Sequence, residues 1–265
     1  MTPKNDQNDQ NEKFAVIIGG SSGIGLEAAR RLSLDGVTPR LVARDADKLD
    51  RARRALVADS GGRVETATVD LHDAAAVERF TATIAAETRP INYLLNAAGT
   101  FRPIPFLDHS PADYDGYQDF NRAFFLITQA VARNMVAHGG GAIVNVGSMW
   151  ARQAVKTTPS SAYSMAKAGL HAMTQHLAME LADHGIRVNA ISPAVVVTPI
   201  YGAFIAPDEI EATVTSAFDA FHPIGRVGRP EDAAAVIAFL FSDAASWVTG
   251  AVWDVDGGVM AGRNQ

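Results

Sequence analysis

The sequence predicts an α/β protein in which a parallel sheet of about seven strands is covered by helices on both faces. Three observations predict this fold class. Short apolar runs alternate along the chain with longer segments of helical spacing. The first apolar run leads directly into a glycine-rich loop and then a helix. The 265 residues show no internal linker or repeat, so we expect one domain over residues 14–265.

Composition narrows the functional classes. The net charge of −6 offers no general attraction for nucleic acid or an anionic membrane, so neither partner is expected. There is no cysteine, which excludes disulfides and thiolate sites. No apolar run approaches the ~20 residues that span a bilayer. Residues 1–13 are polar and lack the apolar core of a signal peptide, so we expect a disordered tail and, by default, a cytoplasmic protein.

The first strand is expected at residues 14–18, because Phe-Ala-Val-Ile-Ile is apolar throughout, as in strands buried on both faces. The loop Gly19-Gly20-Ser21-Ser22-Gly23-Ile24-Gly25 follows, and a helix is expected over residues 26–34. Strand, glycine loop and helix form the context of a dinucleotide-binding fingerprint. Its glycines let the backbone approach a pyrophosphate, and the helix N-terminus supplies N–H donors. The alternative is a Gly/Ser-rich turn that binds no ligand.

The second strand is expected at residues 40–43, and Arg44 follows it directly. An acidic side chain in this place would accept hydrogen bonds from the adenosine ribose. Arg44 can instead pair with a 2′-phosphate, which favours NADP over NAD. The alternative is a surface arginine paired with Asp45 or Asp47 at the start of a charged helix.

The third strand, over residues 63–69, ends at Asp70 and Leu71. An acidic side chain at the carboxyl end of a strand can reach an adenine amino group. The alternative role for Asp70 is to cap the helix expected over residues 74–87. Asp73 is better placed for that cap.

The fourth strand, residues 91–95, continues into Asn96-Ala97-Ala98-Gly99, whose small residues let the loop pass close to a cofactor. Residues 101–107 contain two prolines and two phenylalanines, which indicates either a flap over the site or a packed surface loop. A long helix then begins after Ser110. Asn121 lies inside that helix and needs partners, so it is either a structural hydrogen-bonding residue or part of the site.

The fifth strand is expected at residues 142–146, with Ser148 just beyond its carboxyl end, where open α/β sheets bind ligands. An ordinary turn serine is the alternative.

The next helix, to about residue 184, carries Tyr163 and Lys167 on one face, because they are four residues apart. A neighbouring ammonium favours a phenolate, so Lys167 is expected to lower the pKa of Tyr163 from ~10 and make the pair a general acid/base unit. The alternative is packing plus a solvated cation.

The sixth strand, residues 186–191, ends at Pro193 and is followed by a segment in which backbone groups and Thr198 are expected to face a nicotinamide. Residues 199–222 mix phenylalanines with acidic residues and are the expected substrate lid.

A last helix is expected from Pro230 to about residue 241, and the seventh strand at residues 251–255. His171 and His176 are five residues apart and do not share a helical face, so no metal site is assigned.

Taken together, these motifs resemble the classical short-chain dehydrogenase/reductase family. In the family's order they are Gly20-Ser-Ser-Gly23-Ile24-Gly25, Asp70, Asn96-Ala-Ala-Gly99, Asn121, Ser148, Tyr163-x-x-x-Lys167, Asn189-Ala-Ile-Ser-Pro193 and Asp256-Gly257-Gly258. The resemblance implies a single-domain Rossmann-type, doubly wound sheet. It also implies NADP, with NAD as the alternative, a small carbonyl or secondary alcohol as substrate, and a homotetramer or homodimer.

The resemblance also implies residue roles. Tyr163 would exchange a proton with the substrate oxygen, and Ser148 would hydrogen-bond the same oxygen. Lys167 would lower the pKa of Tyr163 and bind the nicotinamide ribose, while Asn121 would hold a water that links Lys167 to solvent. The cofactor site would be lined by Gly19, Ser21, Ser22, Gly23, Ile24, Arg44, Asp70, Leu71, Asn96, Ala97, Gly99, Pro193, Val196 and Thr198, together with Tyr163 and Lys167.

Three departures from the family pattern carry expectations. Gly19 is taken to stand where the family has the threonine of Thr-Gly, which would make the loop more flexible. Ala194 stands where the family has glycine, and a positive φ there would cost about 1 kcal/mol. The separation of Ser148 from Tyr163 is long, which predicts an unusual pocket rim that includes Trp150 and Thr157.

Two other functions stay open at this point. One is a dinucleotide-binding sensor without catalysis, against which the complete acid/base set argues. The other is a reductase of the 3-oxoacyl-carrier-protein type. Residues 207–219 of the lid carry four carboxylates and neither Lys nor Arg, which disfavours an acidic carrier and favours a small neutral substrate.

Overall fold

The computed structural model describes residues 13–262, whose seven strands form one parallel sheet. The order across the sheet is β3-β2-β1-β4-β5-β6-β7, which confirms the predicted fold class. No strand boundary departs from its predicted position by more than two residues. The strands are β1 (Phe14–Ile18), β2 (Thr38–Ala43), β3 (Glu65–Thr68), β4 (Tyr93–Asn96), β5 (Gly141–Val146), β6 (Ile186–Pro193) and β7 (Val252–Val255).

Seven α-helices connect the strands within the described range. They are α1 (Gly23–Leu34), α2 (Ala46–Ser60), α3 (Ala74–Ala85), α4 (Pro111–Ala137), α5 (Ser161–Glu180), α6 (Ile210–Phe218) and α7 (Pro230–Phe241). Asp73 caps α3 as predicted, by accepting a hydrogen bond from the Ala75 amide. Two predicted boundaries were wrong. Helix α1 begins three residues earlier than predicted, and α5 gives way after Glu180 to a separate 3₁₀ turn, Ala182–His184.

The helices lie on both faces of the sheet. Val16 and Ile18 of β1 join one hydrophobic cluster, with residues of α3, α4 and α5. Ala15 and Ile17 join a second cluster, with residues of α1, α2 and α7. Because successive side chains of a strand point to opposite faces, this alternation places one helical layer on each side of β1.

All strands are parallel, so their carboxyl ends meet at one edge of the sheet. From β1 the chain adds β2 and β3 on one side of the sheet, and it then returns to add β4 to β7 on the other side of β1. The direction of strand addition therefore reverses between β1 and β4. This reversal creates a crevice at the carboxyl ends, where open α/β sheets bind ligands. The expected lid consists of short helical pieces: the 3₁₀ segment Pro199–Ala203, α6, and the 3₁₀ turn Asp219–Phe221.

The tail predicted over residues 1–13 lies outside the described residues except for Lys13, whose ammonium group donates a hydrogen bond to the Tyr93 hydroxyl. Within residues 13–262, none of the helices combines the length and apolarity needed to cross a membrane. In the same range, no three acidic or histidine side chains are grouped closely enough to hold a metal ion.

Candidate active site

A cavity of about 850 Å³ lies at the carboxyl edge of the sheet. Its walls come from the residues that follow six strands, from the glycine loop after β1 to Pro193 at the end of β6. The lid contributes Tyr201, Pro207, Ile210 and Phe218. The cavity therefore brings together motifs that are spread over most of the chain.

The glycine loop is fixed by close backbone contacts. Gly19 has φ +87°, and a Cβ there would lie 2.5 Å from the Ala98 backbone nitrogen. A Cβ on Gly25 would lie 2.4 Å from the Gly19 carbonyl oxygen. Neither position can accept a side chain, because real Cβ atoms do not approach other atoms this closely.

These contacts correct the expectation that Gly19 replaces the family's threonine. Only glycine fits at position 19, so Gly19 is the glycine of Thr-Gly, and the threonine position is Ile18. Ile18 is fully buried at the end of β1, and it is paired in register with Asn96. The backbone around Gly19 and Gly25 is closely packed, and the predicted gain in loop flexibility stays a prediction.

The start of α1 is suited to a pyrophosphate. Ser22 is the N-cap residue, but its side chain makes no capping hydrogen bond to the first turn. The first amide groups of a helix need acceptors from outside the helix, and they favour an anion. Thr198 lies against this turn, since a Cβ on Gly23 would be 3.1 Å from its methyl carbon. The loop and the segment after β6 therefore enclose the same part of the cavity.

Arg44 and Asp70 line the end of the cavity next to β2 and β3. Arg44 is exposed and forms no ion pair with any described residue, so its expected alternative role as a partner of Asp45 or Asp47 is not observed. Lys48 also lines this end, although the sequence interpretation missed it. Its ammonium group is 4.0 Å from a carboxylate oxygen of Asp45. Two cationic side chains therefore border this end of the cavity.

Tyr163 and Lys167 lie one turn apart on α5, and both line the cavity. The Lys167 ammonium donates a hydrogen bond of 2.7 Å to the Val146 carbonyl and lies 5.8 Å from the centre of the Tyr163 ring. Burial lowers the pKa of Lys167 to about 8, because it penalises the charged ammonium. The Lys167 ammonium group therefore begins to lose its proton at a mildly alkaline pH, far below the pH at which a solvent-exposed lysine does.

The pKa of Tyr163 differs from the sequence expectation. Burial raises the pKa of Tyr163 to about 12, and a hydrogen bond with the Ser148 side chain opposes this shift only in part. The physical reason is that Lys167 is bonded to the end of β5, while the phenol lies in an apolar environment that disfavours phenolate. In the protein chain itself, Tyr163 is thus a protonated hydrogen-bond donor.

Ser148 is held in place by three neighbours. Its hydroxyl accepts a 3.3 Å hydrogen bond from the Trp150 amide, and its side chain lies close enough to Tyr163 to lower the pKa of that phenol. Its own amide donates a 3.4 Å hydrogen bond to Nε2 of His171, a buried residue on α5. Burial lowers the pKa of His171 to about 4, so the ring stays neutral and can accept this bond. His171 follows Tyr163 and Lys167 at a further helical spacing of four, which is the signal in the sequence that places it on the same face of α5.

Gly147 makes the contact between His171 and the Ser148 loop possible. A Cβ at position 147 would lie 2.0 Å from Nε2 of His171 and 2.6 Å from its Cδ2 atom. The imidazole therefore occupies the space that any side chain at this position would need.

Two predicted site residues lie behind the cavity wall. Asn121 donates a 3.0 Å hydrogen bond to the Ala166 carbonyl and so ties α4 to the helix that carries Tyr163. Asn96 is fully buried, and its Nδ2 atom donates to Thr128 and Asn145. Neither Asn121 nor Asn96 lines the cavity, and the amide nitrogens of both side chains donate to groups inside the protein. The expected contact of Asn96 with the cofactor stays a prediction. The water link expected of Asn121 stays a prediction.

Comparison with known proteins assigns the chain to a family. The family model described as "Enoyl-(Acyl carrier protein) reductase" matches residues 19–260. The chain is 37% identical over 245 residues to galactitol 2-dehydrogenase (L-tagatose-forming) of Cereibacter sphaeroides, covering 92% of this chain and 93% of that protein. It is 38% identical over 254 residues to cis-4-hydroxycyclohexanecarboxylate dehydrogenase of Sinomonas cyclohexanicum, covering 94% and 97%.

The fold comparison agrees. The structure of L-sorbose reductase from Gluconobacter frateurii complexed with NADPH and L-sorbose matches with a TM-score of 0.85. That protein is 30% identical to this chain, and the match covers 95% of this chain and 97% of the other. This chain belongs to the short-chain dehydrogenase/reductase family. The relatives named above are dehydrogenases and a reductase, so the protein is an oxidoreductase.

Most site residues expected from the family resemblance meet in one cavity of this short-chain dehydrogenase/reductase. Those that line it are Gly19, Ser21, Ser22, Gly23, Ile24, Arg44, Asp70, Leu71, Ala97, Gly99, Ser148, Tyr163, Lys167, Pro193, Val196 and Thr198. Ala194 lines it as well, and every described non-glycine residue has a negative φ. Ala194 therefore carries no left-handed strain, and the conditional penalty expected there does not arise.

The end of the cavity around Tyr163 is formed by a third hydrophobic cluster that the sequence revealed only in fragments. Phe101 packs edge-on against Tyr163, with the ring centres 5.0 Å apart, and Trp150 lies next to Phe101. Tyr201, Ile210 and Phe218 extend the cluster from the lid. Trp150 lines the cavity as expected, but Thr158 takes the place predicted for Thr157. Phe101 shows that the predicted flap is anchored inside the protein.

Proposed function

We propose that this protein is an NADP-dependent oxidoreductase that transfers hydride between the nicotinamide and a small carbonyl compound or secondary alcohol. One observation carries the proposal. Tyr163 and Ser148 lie next to each other in the wall of the cavity that also contains the glycine loop, close enough for the Ser148 side chain to lower the pKa of the Tyr163 hydroxyl. A substrate oxygen placed between the two hydroxyls would receive a hydrogen bond from each.

The residues of this chain divide the work of carbonyl reduction. Ser148 holds the carbonyl oxygen, and Tyr163 donates the proton that the oxygen needs as it gains negative charge. The bound nicotinamide supplies the hydride. Lys167, with its lowered pKa, binds the nicotinamide ribose and replaces the proton lost by Tyr163. In alcohol oxidation the same groups act in the opposite direction.

The preference for NADP is supported by the charges at the β2 end of the cavity. Arg44 and Lys48 line this end, and a planar guanidinium can bind a phosphate through two hydrogen bonds. We expect Arg44→Asp to shift the ratio of kcat/KM for NADPH over NADH towards NADH by at least tenfold. Arg51→Asp is the matched control, because Arg51 is exposed on α2 but does not line the cavity. An unchanged ratio in Arg44→Asp removes Arg44 from this role.

Tyr163→Phe tests the chemistry directly. Because the ring and its packing against Phe101 are kept, NADPH binding measured by fluorescence should stay within about twofold of wild type, as expected for a conservative ring substitution. Turnover should fall by at least 100-fold, which is the usual contribution of a general acid. Full activity in this variant would contradict the proposed mechanism.

A small substrate fits the lid better than a protein-bound one. Asp208, Glu209 and Glu211 of the lid are exposed, and of these Glu211 is paired with Arg229 at 2.7 Å. Unpaired carboxylates at the entrance repel an acidic carrier protein. The homotetramer or homodimer and the cytoplasmic location stay predictions. Exposed apolar side chains on α4 and α5, such as Phe125 and Met179, offer surface for the predicted assembly.

A further inference from the structure

The backbone at residues 194–198, which follows β6, is held in place from outside the sheet. The pairing of β6 with β7 ends at Pro193. Beyond it, the Val195 amide donates a 3.4 Å hydrogen bond to Nε2 of His222, and the Val195 carbonyl accepts a 2.9 Å hydrogen bond from the Gly228 amide. Because Val195 lines the cavity, residues outside the sheet decide where this part of the cavity wall lies.

His222 also holds the base of the lid. Its Nδ1 atom lies 2.7 Å from the carbonyl oxygen of Phe218, which is the last residue of α6 and lines the cavity. His222 itself is 2% exposed and is not among the residues that line the cavity. The imidazole therefore lies behind the cavity wall and joins two parts of it, the lid and the backbone that follows β6.

The two hydrogen bonds assign a different function to each ring nitrogen. A carbonyl oxygen only accepts, so the nitrogen that bonds to Phe218 carries the proton. The Val195 amide only donates, so the nitrogen that faces it is unprotonated. One tautomer of the neutral ring satisfies both partners, and the assignment follows from those partners. In this tautomer Nδ1 of His222 binds the lid and Nε2 binds the backbone after β6.

The turn Asp256-Gly257-Gly258 fixes the segment that carries this ring. Gly257 has φ +62°, and a Cβ there would lie 2.8 Å from Cγ2 of Ile224 and 3.4 Å from Cδ2 of His222. The Asp256 carboxylate holds the turn by accepting hydrogen bonds from two backbone amides that follow it. The turn therefore leaves room for the segment around His222 and limits its movement.

We propose that His222 is a positioning residue that ties the lid to the backbone facing the nicotinamide, so that a cofactor bound in the cavity also orders the lid. The inference rests on the proposed function, from which it takes the bound nicotinamide cofactor. His222 acts only through Val195 and Phe218, since the ring lies behind the wall that substrate and cofactor would touch.

Hydrogen exchange of the full-length wild-type protein, with and without NADPH, tests the tie without any substitution. NADPH should slow exchange in peptides that cover residues 194–198 and also in peptides that cover residues 210–222 of the lid. Bound NADPH that protects only residues 194–198, or neither segment, overturns the inference and leaves the proposed function intact. If fluorescence shows that NADPH does not bind at all, the proposed function fails and this inference falls with it.

Two variants separate the functions of the two ring nitrogens. In His222→Gln the side-chain oxygen can take the place of Nε2 and accept from Val195, but the donor to Phe218 is lost. NADPH affinity should then stay within about twofold of wild type because the Val195 bond is kept, whereas bound NADPH should no longer protect residues 210–222.

In His222→Asn the side-chain nitrogen can take the place of Nδ1 and donate to Phe218, but the acceptor for Val195 is lost. NADPH affinity should fall by about three- to tenfold, the worth of one neutral hydrogen bond. Exchange of residues 210–222 without NADPH should stay close to wild type, and the protection by NADPH should again be lost.

Thr249→Val is the matched control. The Thr249 hydroxyl accepts a 3.1 Å hydrogen bond from the Val188 amide, near the opposite end of β6. This variant should lose stability in thermal unfolding, as the His222 variants do, but keep both the NADPH affinity and the protection of the lid. If His222→Gln and His222→Asn weaken NADPH binding equally, or if Thr249→Val changes lid protection as much as they do, the role of His222 is merely structural. The wild-type exchange experiment decides the question if either His222 variant does not fold.

Discussion

The contact between Gly147 and His171 gives a prediction whose size can be worked from the structure. In Gly147→Ala, the new methyl group would lie 2.0 Å from Nε2 of His171 and 3.1 Å from the Ile191 carbonyl. The φ angle of Gly147 is not in the left-handed region, so the cost is steric. The ring is packed in the core and cannot move freely, so either the imidazole or the end of β5 must shift.

The expected cost has two parts. Overpacking a core typically costs about 1–3 kcal/mol. The shift also breaks the 3.4 Å bond from the Ser148 amide to His171, and a buried amide left without a partner costs about 1–3 kcal/mol. For a domain of this size, a loss of about 3 kcal/mol corresponds to a fall in Tm of roughly 6–12 °C. Because Ser148 moves with the loop, kcat/KM should fall more than NADPH affinity.

A double-mutant cycle measures this contact. His171→Ala removes the obstructing ring, so adding Gly147→Ala in that background should cost much less than in wild type and should partly fill the space left by the imidazole. Thermal unfolding and NADPH titration of the four proteins give the coupling free energy. If the two single effects simply add, the contact does not constrain the loop and the reasoning is wrong.

Three further predictions concern buried polar groups. In Ile18→Thr, the new hydroxyl should donate to the unpartnered Oδ1 atom of Asn96, because positions 18 and 96 are paired in register. Thermal unfolding should therefore show Ile18→Thr at least as stable as Ile18→Val, the reverse of the usual order for a buried site. The lowered pKa of Lys167 means that the unfolded state binds more protons between pH 8 and 10.5, so stability should rise with pH across that window. Urea unfolding should show wild type gaining about 3 kcal/mol relative to Lys167→Met from pH 8 to 10.5, and a flat difference would contradict the burial of the ammonium. The pKa of His171, which faces Arg152, Lys167 and Asp254, is lowered as well. The unfolded state therefore binds more protons than the folded state between pH 6.5 and 4, so the folded protein should lose stability as the pH falls through this range. His171→Gln should lack this loss when unfolding is followed at pH 4–7.

Local features of the sequence determined much of the fold and of the catalytic set. The apolar runs located the central strands β1, β4, β5 and β6 to within two residues, because strands buried on both faces must be apolar regardless of their neighbours. The glycine loop and the spacing of Tyr163 and Lys167 are also short-range patterns, since both depend on residues within one turn or one helix. Sequence alone could therefore place Ser148, Tyr163 and Lys167 at the carboxyl edge of the sheet.

Tertiary structure decided the features that depend on contacts between distant segments. Whether Lys167 or burial controls the pKa of Tyr163 depends on how deeply α5 is packed, which spacing along a helix does not specify. The contact of Gly147 with His171 joins residues 24 positions apart, and Asn96 turned out to bond to Thr128 and Asn145 inside the protein. The aromatic wall at Phe101 likewise depends on a loop folding back over α5. Periodicity reports which face of an element is buried, but only the packed chain decides which groups meet there.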